Sequence, residues 1–435
     1  MKGVEEMDKK KIERDGEAPK RPSSPEQLGS PEQLGSPEQL GSNVRKSMIL
    51  AFTQVFLVII PIAVPFFQSK GLTMQQVFLL QALFGAIVVA MEIPSGYVAD
   101  RIGRKDTLVA GARCLGIGHS MLLFAQDFTG LAVFEVLLGI GVSLISGADL
   151  ALLYDTELAL GKQGETPNAV RNMHVAQSIS EAAAAIACSL LMLWSVQAVV
   201  WAQVLVGWIP FVVAMSLVEP PAHGAEHAPA LRVREVFAHL LANGSVMRMT
   251  VLALSVWCLT TFYAVWVLQR YWQLNGVGLV WFGWLWAVCN GVSGVAGRYA
   301  QAIEARIGIT TVLVVIGVLP IIGYLALAVL PLADALVLSL AFFVARGIGL
   351  VVLRDALNRR TPSRFRATAN SLASFGFRGA FVLSGPVVGA VLDRSGMVPT
   401  LWLLAFGSLV IFVAVIVPLL FAVRESQSEA AEVVG

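Results

Sequence analysis

Gly96-Tyr-Val-Ala-Asp100-Arg101-Ile-Gly103-Arg104-Lys105 is a charged turn set between two long apolar runs, residues 74–98 and 107–125. At 1.5 Å of rise per helical residue, each run is long enough to cross about 30 Å of hydrocarbon, which places the turn at a membrane surface. A carboxylate among several cations in so short a connection marks the cytosolic face, where Lys and Arg accumulate during insertion. The two glycines let the chain close tightly, and Asp100 is placed to face the positive N-terminal end of a neighbouring helix.

Working outward, apolar runs recur at 48–67, 74–98, 107–125, 131–153, 173–194 and 198–218. After a polar break they resume at 251–268, 278–296, 309–330, 333–353, 367–392 and 397–423. A chain of 435 residues with a mean hydropathy of +0.73, 56% hydrophobic and only 14% charged residues is not composed as a water-soluble domain. The pattern predicts a multi-pass protein whose partner is the lipid bilayer. Twelve crossings would return both termini to one side. Nearly all Lys and Arg outside the runs then lie on the side of the 96–105 turn, the opposite side carrying only Lys70, Arg270 and Arg394, so both termini and the middle loop are expected in the cytosol. Nothing in the composition points to nucleic acid.

Residues 1–47 are polar and carry Pro25-Glu-Gln-Leu-Gly-Ser30 again at 31–36 and 37–42; proline and glycine in each hexamer, with little apolar surface, predict a disordered cytosolic tail. Residues 48–218 form a first half of six runs and 249–423 a second. Between them, 219–248 reads as a cytosolic linker with Pro220, Pro221, Pro229 and a short amphipathic helix from Arg232 to Leu241, and 424–435 as a cytosolic tail. The linker's His223-Gly-Ala-Glu226-His227 spells the order of a zinc peptidase. Its internal glycine and flanking prolines deny it the stable helical face that zinc ligation needs, so neither metal nor cofactor is expected. Cys114, Cys188, Cys258 and Cys289 sit singly in different runs and read as small core residues.

The halves look duplicated at an offset of 200. The end of the fourth run, residues 146–155, and the end of the tenth, 346–355, share glycine at 147 and 347, leucine at 150 and 350 and at 153 and 353, and aspartate at 155 and 355.

The pattern G-x-x-x-D-R-x-G-R-K between the second and third runs closely resembles the loop signature of the major facilitator superfamily of transporters. The resemblance implies an all-α membrane protein with twelve transmembrane helices in two pseudo-symmetric six-helix halves, working as a monomer. It also implies a conformational latch made by Gly96, Asp100, Arg101, Gly103, Arg104 and Lys105 against residues 367–370 of the eleventh run. Within the family, Glu92-Ile-Pro-Ser-Gly96 and the Ser-Gly-Ala-x-x-Ala-Leu-x-Tyr-Asp that closes the fourth run resemble bacterial permeases usually labelled drug or small-molecule exporters. That implies efflux of a small, hydrophobic or drug-like molecule across the inner membrane with protons as the coupling ion. Two departures weaken the implication. Glu135-Val-Leu-Leu-Gly139 stands where many members have an arginine tied to proton coupling. The G-P-x-x-G kink of many antiporters, usual in the fifth run, occurs in the eleventh as Gly385-Pro-Val-Val-Gly389.

An ionisable group inside a span costs at least ~2.5–3.5 kcal/mol at the helix centre, so each marks a partner or a watery cavity. Glu92 and Arg113 lie at equal distances from the turn on adjacent antiparallel helices and are expected to pair; Arg378 is the other partner open to Glu92 if the second and eleventh runs touch. Glu181, deep in the fifth run with no cation at its level in its own hairpin, reads either as a titrating coupling carboxylate or as a group hydrogen-bonded across helices. Asp149 and Arg346 fall at one depth in the duplicated fourth and tenth runs, as a gate that breaks and reforms, or with Arg346 meeting an anionic substrate. Glu135, Gln54 and Trp257 complete the candidate substrate or coupling set; Trp257 is deep enough to line a cavity, whereas Trp266 and Trp272 read as an interfacial belt. Two rival functions stay open: ion-coupled uptake of a small solute, and a transporter-like sensor or partner subunit that moves nothing. An enzyme is not expected, for want of a nucleophile with a base.

Overall fold

The computed structural model describes residues 37–162, 166–221 and 244–434, and every regular element in them is helical. The first run falls on the end of α1 (Pro37–Gln54) and most of α2 (Ala63–Ser69), separated by a short irregular stretch and a 3-10 turn at Ile60–Ile62. The chain continues as α3 (Met74–Ile102), α4 (Arg104–Met121), α5 (Phe128–Ala159), α6 (Thr166–Leu191), and the pair α7 (Val196–Gly207) and α8 (Ile209–Met215). In the second half α9 (Gly244–Leu252) passes through a π-helical turn at Ala253–Trp257 into α10 (Cys258–Leu274). Then come α11 (Leu279–Ile307), α12 (Ile309–Val329), α13 (Leu332–Arg360), α14 (Ser363–Ser395) and α15 (Met397–Ile411), the last joined by a second π turn, Phe412–Ile416, to α16 (Val417–Val434). Local chemistry sets several starts: Thr73 and Gln76 form a reciprocal capping box on α3, and Asp127 and Ser195 accept the N–H groups of Gly130 and Ala198 at the starts of α5 and α7.

Among the described residues nine helices are long and apolar enough to cross a membrane. The other three of the twelve expected runs also fall on helix. The first is broken between α1 and α2, α4 carries Arg104, Lys105, Asp106 and Arg113, and α6 is diluted by His174, Gln177 and Glu181. Among the described residues the chain is therefore an all-helical multi-pass protein, and its three less apolar runs all lie in the first half.

Several boundaries differ from the sequence reading. Residues 37–47 are helical rather than part of a disordered tail, because tertiary contacts outweigh the poor local propensity. Leu40 is buried, and the buried Asn43 donates to the Val218 carbonyl at 2.8 Å, accepts the Val218 N–H at 3.0 Å and reaches the Thr156 hydroxyl at 3.3 Å. Residues 244–248 belong to α9, and α16 extends through 424–434. The first two hexapeptides, the Arg232–Leu241 stretch and the His223/His227 pair lie outside the described residues.

The cores show how the halves meet. One large cluster draws on both, from Phe67, Val77 and Phe78 through Ala184 and Ala185 to Tyr263, Phe282 and Phe381. It sits at the end of the molecule where Lys70, Arg270 and Arg394 lie. Toward the other end, which carries the 96–105 turn and most of the cations, the clusters separate: one lies wholly in the second half, around Trp257, Ile316 and Val352, and two wholly in the first, around Leu108 and Ile145 and around Leu153 and Met173. The halves are thus sealed at the sparsely charged end and part toward the basic end.

Candidate functional site: the charged turn and the ionisable groups between the halves

The turn is held within the first half. Gly103, at a φ of 100°, links α3 to α4, a backbone conformation that favours glycine. The Arg104 guanidinium donates to Asp100 at 2.7 Å and approaches the Asp155 carboxylate at 3.6 Å, joining the end of α5 to the turn, while Arg101 stacks over the Tyr97 ring at 5.5 Å. Glu219, just beyond α8, accepts the backbone N–H groups of Arg104 and Lys105 at 2.7 and 2.6 Å, satisfying two of the orphan donors that open α4. Sequence reasoning missed Glu219; the available signal was a lone carboxylate before Pro220 and Pro221 at the end of the sixth run. Asp100 is 68% exposed and, among the described residues, has no hydrogen bond or ion pair to the eleventh run, and Pro362 provides no side-chain cap at the N-terminus of α14. A Cβ on Gly96 would meet open space.

Glu92 does not pair with Arg113. It faces α14, where Ser371 donates to it at 2.8 Å and Arg378 lies within electrostatic reach, the latter's guanidinium 5.8 Å from the Phe84 ring centre. Equal depth was the wrong criterion: Glu92 looks toward the other half, whereas α4 packs on α5 and leaves Arg113 on an exposed face. The sequence alternative, Arg378, is the cation Glu92 senses.

Glu181 on α6 and Arg346 on α13 come from opposite halves and interact electrostatically, with Arg354 one further step along α13. Glu181 is exposed and Arg346 partly so, without a direct ion pair between them. Asp149 stays on its own helix, accepting the Leu150 N–H at 2.7 Å, apart from Arg346. Glu135 is buried and accepts from the Gln81 side chain at 2.7 Å, a bond between α5 and α3 inside the first half. Gln54 is half-buried at the end of α1. Trp257 lines no opening: it is 1% exposed, donates to the Ile316 carbonyl at 3.1 Å and packs against Gly349. Trp266 and Trp272 are likewise buried in the shared core rather than set in a belt. Of the candidates, then, the structure brings Glu181 toward Arg346 and Glu92 toward Arg378 across the halves, and keeps Glu135, Asp149 and Trp257 within one.

At the sealed end the cross-half contacts are direct. Gln269 on α10 accepts the Val64 N–H at 3.0 Å and donates to the Ile60 carbonyl at 3.1 Å; Ser189 on α6 accepts the Trp284 N–H at 2.9 Å; and Asp393 on α14 accepts the N–H groups of Met74 and Gln75 at 2.9 and 2.7 Å. Two carboxylates facing cations between halves sealed at one end can bind a polar group or exchange a proton from the other end alone.

Residues 47–358 match the family model described as Major Facilitator Superfamily. A protein called an uncharacterized transporter from Buchnera aphidicola subsp. Schizaphis graminum is 33% identical over 73 residues, 17% of this chain and 18% of the relative, so the match spans less than a fifth of that protein. The fold is similar to that of a bacterial homolog of the human lysosomal transporter Spinster in an inward-facing, unoccupied conformation, with a TM-score of 0.72, 16% identity, and 90% of this chain and 98% of that one covered. It is also similar to the nucleoside transporter NupG, with a TM-score of 0.70, 14% identity and coverage of 86% and 98%, and to a D-xylose-proton symporter, with 0.64, 12%, 87% and 96%.

Proposed function

The chain belongs to the Major Facilitator Superfamily, and from that premise we propose that it is a secondary transporter that rocks two halves about a midplane site and exports a small, apolar-tolerant molecule in exchange for protons. The observation that supports the reading is that Glu181 on α6 and Arg346 on α13, from opposite halves, influence each other electrostatically while Glu181 is exposed. A charge pair across the moving boundary changes its hydration and its partner each time the halves rock. That gives a proton or substrate the differential affinity it needs to bias the two states. Val175 and Ile179, exposed on the same helix as Glu181, add apolar surface to α6, which suits a hydrophobic cargo.

In this reading the basic end is cytosolic in a bacterial inner membrane, twelve crossings put both termini there, the molecule acts as a monomer, and the structure is its inward-open state. Asp100, exposed here, meets the uncapped N-terminus of α14 when that end closes. The test is transport in inverted membrane vesicles with and without a proton gradient. Gradient-driven accumulation of apolar compounds inside the vesicles supports export; accumulation only in right-side-out vesicles would reverse the direction, and movement of no compound in either would replace the transporter with a sensor.

A further inference from the structure

We infer that Asp393 is the positioning residue that holds the sparsely charged end shut, the antiparallel counterpart of Asp100 at the other end of the same helix pair. The inference rests on the rocking of the halves proposed above. α3 and α14 run side by side in opposite directions, so each helix's C-terminal region lies beside the other's N-terminus. At the sealed end Asp393, two residues before α14 finishes, gives one carboxylate oxygen to the Met74 N–H at 2.9 Å and the other to the Gln75 N–H at 2.7 Å, the first two donors of α3. Thr73 takes the next donor, Gln76, so the start of α3 is satisfied by one residue of its own half and one of the other. At the open end the arrangement is the same with the roles exchanged and the contact absent. Asp100 lies two residues before the end of α3, and the N-terminus of α14 has no side-chain cap. Asp393 is engaged across the halves, whereas Asp100 accepts from Arg104 of its own turn, as alternating closure of the two ends requires.

The kinked stretch of α14 makes the contact possible. A Cβ on Gly389 would lie 2.6 Å from the Gln75 Cα and 2.8 Å from the Met74 carbonyl oxygen, so only glycine lets α14 approach closely enough for Asp393, one turn on, to reach the two N–H groups. Gly385-Pro-Val-Val-Gly389 therefore serves the seal. Among the described residues the other cross-half hydrogen bonds named at this end, those of Gln269 and Ser189 and that from Arg270 to Gln68, involve no carboxylate. A carboxylate on a helix N-terminus is favoured by charge as well as by hydrogen bonds, so its loss acts on the closed state and leaves the open one untouched.

Reporter cysteines on α6 test this in full-length protein whose four native cysteines are replaced. Ala185, 1% exposed in the seam, reports the sealed end, and Ile179, 58% exposed, reports the open one. Asp393→Ala is expected to raise labelling at 185 and lower it at 179, shifting the ratio of the two states by about tenfold, which is ~1.4 kcal/mol; Asp393→Asn should fall between. Gly389→Val, which wedges the helices apart without touching a charge, should move both reporters the same way, and Asp100→Asn should move them oppositely. If Asp393→Ala and Gly389→Val leave both reporters unchanged while Asp100→Asn moves them, Asp393 is no latch and the rocking stands. If none of the three moves either reporter, the latch and the rocking both fall.

Discussion

The Glu219 carboxylate accepts the backbone N–H groups of both Arg104 and Lys105, so the end of the sixth run holds the charged turn from beneath. A Cβ at Gly103 would lie 3.0 Å from the Glu219 Oε1, at a φ of 100° that a side chain rarely adopts. Gly103→Ala should therefore destabilise the protein through both strain and displacement of the cap, and Glu219→Ala should cost about 1–2 kcal/mol. Gly96→Ala, placed in helix with open space around it, should leave thermal stability unchanged or slightly higher even though it belongs to the same motif. Melting temperatures of the purified variants check this; equal losses at 96 and 103 would mean that the glycines are needed for a shared reason.

For Glu92 the geometry selects a partner in the other half. Neutralising either Glu92 or Arg378 should impair transport, and the exchanged pair Glu92→Arg with Arg378→Glu should recover part of the loss, because the two charges sense each other across α3 and α14. The exchange of Glu92 with Arg113 should recover nothing. Recovery in the second pair and not the first would restore the ion pair that equal depth suggested.

The limits of the sequence can be read from these residues. Hydropathy and the turn motif are local signals, so the apolar helical runs and the family resemblance were legible. The direction a side chain faces around its helix is not local: depth alone put Glu92 with Arg113, and only the packing of α3 on α14 turns it to Ser371 and Arg378. Trp266 and Trp272 were ambiguous in the same way, since a tryptophan near a run's end suits a belt and a buried core equally, and Trp257, deep in its run, suits a cavity wall as well as a core. The helical start at residues 37–47 was hidden because the burial of Asn43 depends on partners more than 100 residues away.

Glu181 is the group expected to carry the coupling. Glu181→Gln should abolish accumulation driven by a proton gradient while permitting downhill exchange, because the amide keeps the shape and loses the ability to load and release a proton. It also leaves Arg346 without the anion it senses, so substrate affinity is expected to change in the same variant. Counterflow and gradient-driven uptake measured side by side separate the two effects. A variant that still accumulates substrate against its gradient would remove Glu181 from the coupling step.

The state at hand also sets a prediction for Asp149 and Arg346. They lie on α5 and α13, within one turn of the same depth in the duplicated segments, and in this structure they are apart: Asp149 accepts its neighbour's N–H at 2.7 Å and Arg346 senses Glu181. If the halves close at the basic end, α5 and α13 approach, and Arg346 can exchange Glu181 for Asp149. The exchange keeps one anion near a guanidinium whose burial would otherwise be costly, so neither state leaves it unpartnered. Cysteines at 149 and 346 should therefore crosslink weakly in the wild-type resting state and strongly when Asp393→Ala or bound substrate drives the basic end shut. Equal crosslinking in both conditions, or none in either, would leave Arg346 to Glu181 and the substrate and dismiss the gate.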